Sequence, residues 1–155
     1  MHQLLMAVAL LMPIKDSSVS GTIELKQEKG FVLVTGEVKG LTPGLHGFHI
    51  HEFGDLRSPD GMSAGGHYNP HKKPHGRPAA HERHEGDLGN IEANADGVAK
   101  FNLRAMGLDL SKVLGRGLVV HANPDDFSQP VGNAGPRVAV GVIGVAEVKS
   151  ATAAK

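Results

Sequence analysis

From Glu52 to Asp87 the chain runs for 36 residues through Gly, Pro, His and charged side chains with almost no apolar periodicity. Connections in compact domains are mostly about 4–6 residues long, and those beyond about 12–15 are kept for a purpose. A stretch of this kind has no hydrophobic reason to be ordered, so it is either disordered or clamped. Any core must come from the residues on either side. The chain has 155 residues in all, which suits one domain. We expect a single domain over 1–155, with loosely ordered ends at 1–6 and 150–155.

The flanking sequence has a period of two. In residues 19–38, Ile23 and Leu25 alternate with Thr22, Glu24 and Lys26, and Glu28-Lys29-Gly30 reads as the turn of a hairpin. Residues 89–103 give a second hairpin signal around Asp96-Gly97. Gly117–His121 and Val138–Val148 are β-branched runs of strand type. With 21 Gly and 9 Pro to make turns, seven or eight short strands predict an all-β sandwich or barrel.

The apolar start, Met1 to Met12, has no Lys or Arg ahead of it and no convincing cleavage site, so it reads as a first strand. Its apolar run is well short of the ~20 residues that cross a bilayer. Lys plus Arg and Asp plus Glu both number 16, which argues against a nucleic-acid partner, and nothing points to a membrane. The chain has no Cys, excluding a disulfide scaffold, a thiolate zinc site and an iron–sulfur cluster. With no oxidising-compartment marker, a cytoplasmic protein is the preferred reading, and an exported one if a leader has been removed.

Eight of the ten histidines fall between His46 and His84. His49-Ile50-His51 ends an apolar strand, where residues two apart project from one face, so both imidazoles can reach one ion. An isolated pair of this kind would simply face water. Here His67, His71, His75, His84 and Asp87 follow in the long loop, and His121 closes another strand. Imidazoles favour zinc, copper, iron or nickel over magnesium or calcium; one carboxylate among them suits zinc, and imidazoles alone suit Cu(II). The residues therefore point to a mononuclear or dinuclear copper or zinc site in a β domain, without naming a reaction.

From about Ala7 to Ala146 the chain resembles the copper-zinc superoxide dismutases, a family that is itself an example of the sandwich architecture. The resemblance is carried by GLHGFHIHEFGD (Gly44–Asp55), SAGGHYNP (Ser63–Pro70), HGRP (His75–Pro78), RHEGDLGN (Arg83–Asn90), LVVH (Leu118–His121) and GNAGPRVAVGVIG (Gly132–Gly144). It implies a Greek-key, immunoglobulin-like sandwich or flattened eight-stranded barrel with a long metal-binding loop. It implies copper on His49, His51, His67 and His121, and zinc on His67, His75, His84 and Asp87, with His67 bridging. Asp125 would link His49 to His75, and Arg137 would attract and orient the superoxide anion. The implied reaction is a Cu(II)/Cu(I) cycle giving dioxygen and hydrogen peroxide, with His67 carrying a proton and zinc unchanged in redox state. A homodimer is possible, as in many relatives.

Three departures stand out. The family's usual intrasubunit disulfide is missing, with Met62 and Val140 at the matching positions; we expect these two to make an apolar contact in its place. Only 15 residues separate His121 from Arg137, and they carry Asp125 and Asp126 but no Lys or Glu. His71 and His81 are additional histidines expected to face solvent, while His46 is expected to hold structure by hydrogen bonding. Two other functions use the same residues: a catalytically silent relative that buffers or delivers copper or zinc, and a mononuclear β-barrel dioxygenase or hydrolase. Arg137 and His121 argue against the first, and the second needs an open substrate pocket.

Overall fold

The structure, a computed structural model, describes residues 5–147. Its strands are β1 (Met6–Pro13), β2 (Ser20–Glu28), β3 (Phe31–Lys39), β4 (Gly44–His51), β5 (Asp87–Ala93), β6 (Ala99–Met106), β7 (Gly117–His121), β8 (Arg137–Val142) and the two-residue β9 (Gly144–Val145). They are ordered β5-β4-β7-β8-β1-β2-β3-β6, all neighbours antiparallel, with β9 on β1. The end strands β5 and β6 return beside each other, so eight strands make a nearly closed barrel. The all-β, Greek-key expectation holds. Of the ends expected to be loose, residues 1–4 and 150–155 lie outside the described residues, as does Val148, while Met6 already opens β1.

The period of two is what fills the barrel. Ala7, Ala9 and Leu11 of β1, Ile23 and Leu25 of β2, Val32, Val34 and Val38 of β3, Phe48 and Ile50 of β4, and Leu118 and Val120 of β7 belong to one buried cluster. Phe48 meets Phe101 edge-on with ring centroids 5.3 Å apart, an arrangement the ring quadrupoles favour. Because Phe48 and Ile50 point inward, His49 and His51 must point outward. On β7 the same parity sends Val119 and His121 outward. The loop 52–87 lies over this outer face, so the three histidines are buried although they are outside the barrel core.

The first hairpin forms as expected, β2 pairing β3 from Glu28↔Phe31 onward with Gly30 at φ 86°. The second does not. Asp96-Gly97 is a turn, held by Gly97 N–H to Asn94 O at 3.0 Å, but β5 pairs with β4 and β6 with β3. The turn is instead tied to the β3–β4 connection, Leu41 N–H donating to Gly97 O at 3.1 Å. A turn signal fixes the reversal of the chain, and the ladder partner is chosen by long-range packing.

Candidate metal centre

The long loop is clamped. It runs back along β4 through Glu52 N–H to Gly66 O and Phe53 N–H to Ala64 O, both 2.9 Å, and Tyr68 N–H to Ile50 O at 2.8 Å. Gly86 N–H then bonds Tyr68 O, and Ile50 N–H bonds Gly86 O, each at 2.9 Å. A Cβ on Gly86 would stand 2.3 Å from Ile50 O, so this close approach needs glycine. His67 is thereby set opposite His51. Two groups of side chains result, each with its candidate donor atoms within 4.8 Å of one another: His49, His51, His67 and His121, and His67, His75, His84 and Asp87. All are buried.

In the first group the unused face of each ring is fixed by its partner. His51 Nδ1 donates to Gly65 O at 2.9 Å, and His121 Nδ1 to Gly135 O at 3.0 Å. His49 Nε2 donates to Asp125 Oδ2 at 2.7 Å. The remaining nitrogens, His51 Nε2, His121 Nε2 and His49 Nδ1, are buried without a hydrogen-bond partner among the described residues. An orphaned buried acceptor is costly, and three converging imidazole lone pairs are what a copper or zinc ion takes. Burial, and next the Arg137 charge, hold His51 well below its ordinary pKa. Burial, the largest cause, pushes His121 down to about 3. Both rings are therefore neutral at pH 7, the form that ligates.

The second group has one oxygen facing three nitrogens. Asp87 Oδ1 lies 3.1 Å from His67 Nδ1, 2.9 Å from His75 Nδ1 and 3.3 Å from His84 Nδ1, while His67 Nδ1 and His84 Nδ1 are 3.1 Å apart. His75 Nδ1 makes no well-aligned hydrogen bond despite its short distance. Asp87 Oδ2 is held separately, by the N–H groups of His84 at 2.8 Å and Gly76 at 3.1 Å. Three imidazole nitrogens and one carboxylate oxygen are a zinc-type donor set. Burial disfavours the Asp87 carboxylate, yet the bonds from His67, His75 and His84 outweigh this and keep it ionised far below the usual range. Burial lowers His67 to about 4. Burial also works against charge on His75, but its bond to Asp125 and the nearby Asp87 carboxylate prevail and raise it to about 9.

Asp125 joins the groups. Its Oδ2 takes His49 Nε2, and both its oxygens lie 2.9 Å from His75 Nε2. Gly132, at φ 84°, closes over it so tightly that a Cβ there would collide with Oδ1. Arg137 enters from β8, opposite His121. Its Nη1 donates to Gly61 O at 2.7 Å and its Nη2 to Gly65 O at 2.5 Å, so Gly65 O serves both Arg137 and His51.

The other histidines separate clearly. His46 Nδ1 donates to His121 O at 2.8 Å, the structural bond expected of it. His71 is exposed and paired with Glu85 at 2.8 Å; His81 is exposed, and neither joins a donor group. The Met62–Val140 contact is corrected. Met62 is 59 % exposed, and the loop residues against Val140 are Ala64, which packs with it, Val119 and Ile14, and Gly61, where a Cβ would stand 3.2 Å from Val140 Cγ1. Sequence reasoning also missed Gln129, whose carboxamide bonds the backbone of His75.

Known proteins agree with this geometry. The family model for copper/zinc superoxide dismutase matches residues 19–143. The chain is 46 % identical over 154 residues to Superoxide dismutase [Cu-Zn] of Onchocerca volvulus, covering 90 % of this chain and 95 % of that one. It is 44 % identical over 143 residues to Extracellular superoxide dismutase [Cu-Zn] of Brugia pahangi, covering 84 % of this chain and 71 % of the relative. The relatives thus include one named extracellular and one whose name gives no compartment. On the family match, on these identities and on its donor groups, the chain belongs to the copper/zinc superoxide dismutase family.

Proposed function

We propose that this protein is a superoxide dismutase, converting two superoxide anions and two protons into dioxygen and hydrogen peroxide. Its copper donors are His49 Nδ1, His51 Nε2, His67 Nε2 and His121 Nε2, and its zinc donors are His67 Nδ1, His75 Nδ1, His84 Nδ1 and Asp87 Oδ1. Bound there, copper supplies a one-electron acceptor and donor, and zinc a fixed charge that ties the loop. The observation that carries the reading is the three orphaned nitrogens of His49, His51 and His121, each with its ring locked by a bond on the opposite side.

The chain's own residues do the rest. A guanidinium has five N–H donors, and Arg137 spends one on each of two loop carbonyls; those left can orient a small anion beside His121. His67 presents one ring nitrogen to each donor group, so its Nε2 is an atom at which a proton can be held and passed on. Asp125 keeps the His49 and His75 rings in the tautomers that aim their Nδ1 atoms at the ions.

The test is superoxide decay by protein reconstituted with one copper and one zinc per chain, beside Arg137→Ala. We expect fast decay, falling about tenfold or more in the variant. No decay above the metal-free control, with both metals bound, would replace this reading by metal buffering.

The same reading takes the chain as one domain working as a homodimer in the cytoplasm, or outside the cell if a leader precedes it. Support for the dimer is two exposed apolar side chains, Phe53 at 53 % and Val142 at 38 %, Val142 standing against Gly54, the residue that follows Phe53. Phe53→Glu should shift sedimentation to the monomer; an unchanged dimer would place the interface elsewhere.

A further inference from the structure

Among the described residues, His75 is a proposed zinc donor whose own backbone makes no hydrogen bond to another backbone group. It follows Pro74, and the polar groups of its peptide backbone are both taken by one side chain from 54 residues away. His75 N–H donates to Gln129 Oε1 at 3.0 Å, and Gln129 Nε2 donates to His75 O at 2.7 Å. The carboxamide thus does for His75 what a neighbouring strand does for a ladder residue. The segment carrying Gln129 is itself a closed unit, with Asp126 N–H bonded to Gly132 O at 2.9 Å and Gly132 N–H to Ser128 O at 2.8 Å.

The same unit grips His75 from its ring side. Phe127 stands near-parallel to the imidazole, the ring planes 16° apart and the centroids separated by 6.3 Å. The Arg77 guanidinium stands 4.2 Å from the Phe127 ring centroid, a cation–π distance. Phe127 N–H donates to Asp125 Oδ1 at 2.8 Å, so the carboxylate that bonds His75 Nε2 is held by the same segment. Beyond Gln129, Pro130 and Val131 line a cavity of about 550 Å³ that reaches His67 and His84.

We infer that Gln129 is a positioning residue for the zinc donor set: its carboxamide fastens the short 122–136 segment to the backbone of His75 and does part of what a disulfide does elsewhere, tethering the long loop. The inference rests on the zinc assignment proposed above. Gln129 is itself exposed, so replacing it leaves the barrel core intact.

The experiment uses the full chain loaded with zinc alone and follows zinc release to excess chelator and hydrogen exchange at the His75 amide. Gln129→Ala and Gln129→Met, the latter keeping the bulk, should each release zinc about fivefold faster or more and exchange the His75 amide faster by a similar factor. Gln129→Glu keeps an acceptor for that N–H and should restore its protection toward wild type, a rescue that general loosening would not give. Zinc release and exchange within twofold of wild type in both Ala and Met variants, or a Met variant that behaves as wild type, would overturn the inference. If the wild type takes no zinc at this set, the zinc assignment falls, and His75 exchange in the metal-free variants still decides whether the clamp exists.

Discussion

His49, His51 and His121 come from paired strands, whereas His67, His75 and His84 come from a loop. β4 and β7 are neighbours, His49 facing Val119 and His51 facing Gly117, and the inward packing of Phe48, Ile50, Leu118 and Val120 fixes which way the strand histidines point. Their positions follow from burial of apolar surface, the dominant favourable term in folding. The loop histidines have no such support. Ala64 and Tyr68 are the buried hydrophobic residues of the long loop, and the rest is held by polar contacts: backbone bonds, Asp87 and Asp125, and the side chains of Arg137 and Gln129. Donors set by a core exist before an ion arrives; donors set by polar contacts depend on the ion as well, because apposed imidazoles and an unscreened carboxylate are unfavourable without it.

Metal removal should break the comparison open. Structural zinc sites contribute about 10–16 kcal/mol in small peptides, and this loop has no disulfide to restrict its unfolded ensemble. In the metal-free chain, protease cleavage within residues 52–87 should accelerate by about a hundredfold or more, while amides of β1–β4 keep their slow exchange. Equal cleavage with and without zinc would mean that the backbone bonds along β4 are enough to hold the loop.

Asp125→Ala should come next. It removes the Nε2 partner of both His49 and His75 but leaves His49 on its strand, and losing an outer partner of a ligand typically costs 10–100-fold in metal affinity. We expect that loss at the zinc set and a smaller one at the copper set, read by competition with chelators of known affinity. An equal loss at both would show that strand support does not protect His49.

How far these differences could be read in the sequence follows the same division. The alternation around Ile23, Leu25, Phe48 and Ile50 announces strands and a core, because burial with period two is local information. His49 and His51 are legible for that reason, two apart on one strand. Asp125 is legible only through family resemblance, since a loop acid gives no local sign of touching two rings. The Asp96-Gly97 signal foretells a turn but not its ladder partners. The Met62–Val140 expectation fails because Gly61 and Ala64 meet Val140 instead, and which loop residues do so is set by the positive φ at Gly61 and the turn that follows it. Gln129 has no signature at all: its partner is chosen by where two loops cross.

Protonation sharpens the comparison by sign. His75 is raised to about 9, so in the metal-free chain its charged form stabilises fully below about 6.5, an effect lost as pH rises through 9. His121, lowered to about 3, works in reverse: its contribution is intact above about 6.5 and lost as pH falls toward 3. At pH 7, filling the zinc set should therefore release about one proton and filling the copper set about none from His121, His51 or His67. Calorimetric titrations of each metal in buffers of different ionisation enthalpy give both numbers. No proton released on filling the zinc set would contradict the charged His75 and, with it, the difference.

The smallest effect concerns how an anion reaches the strand-held set. Superoxide dismutases are themselves a standard example of electrostatic steering, but this chain carries no net charge, and the segment between His121 and Arg137 offers only Asp125 and Asp126. Asp125 is buried against two histidines, and Asp126 is engaged by Ser128 and Asn133. That leaves Arg137, fixed to two carbonyls, as the cation beside His121, with Arg116 and Glu52 offsetting each other along the neighbouring cavity. A single guanidinium acts over about one Debye length, roughly 30 Å at 0.01 M salt and 8 Å at 0.15 M. We therefore expect kcat/KM to fall by only about two- to threefold between those ionic strengths, and the slope to vanish in Arg137→Ala. A steep slope surviving in that variant would move the guidance from one fixed side chain to the wider surface, and the strand-held set would then owe its access to the loops after all.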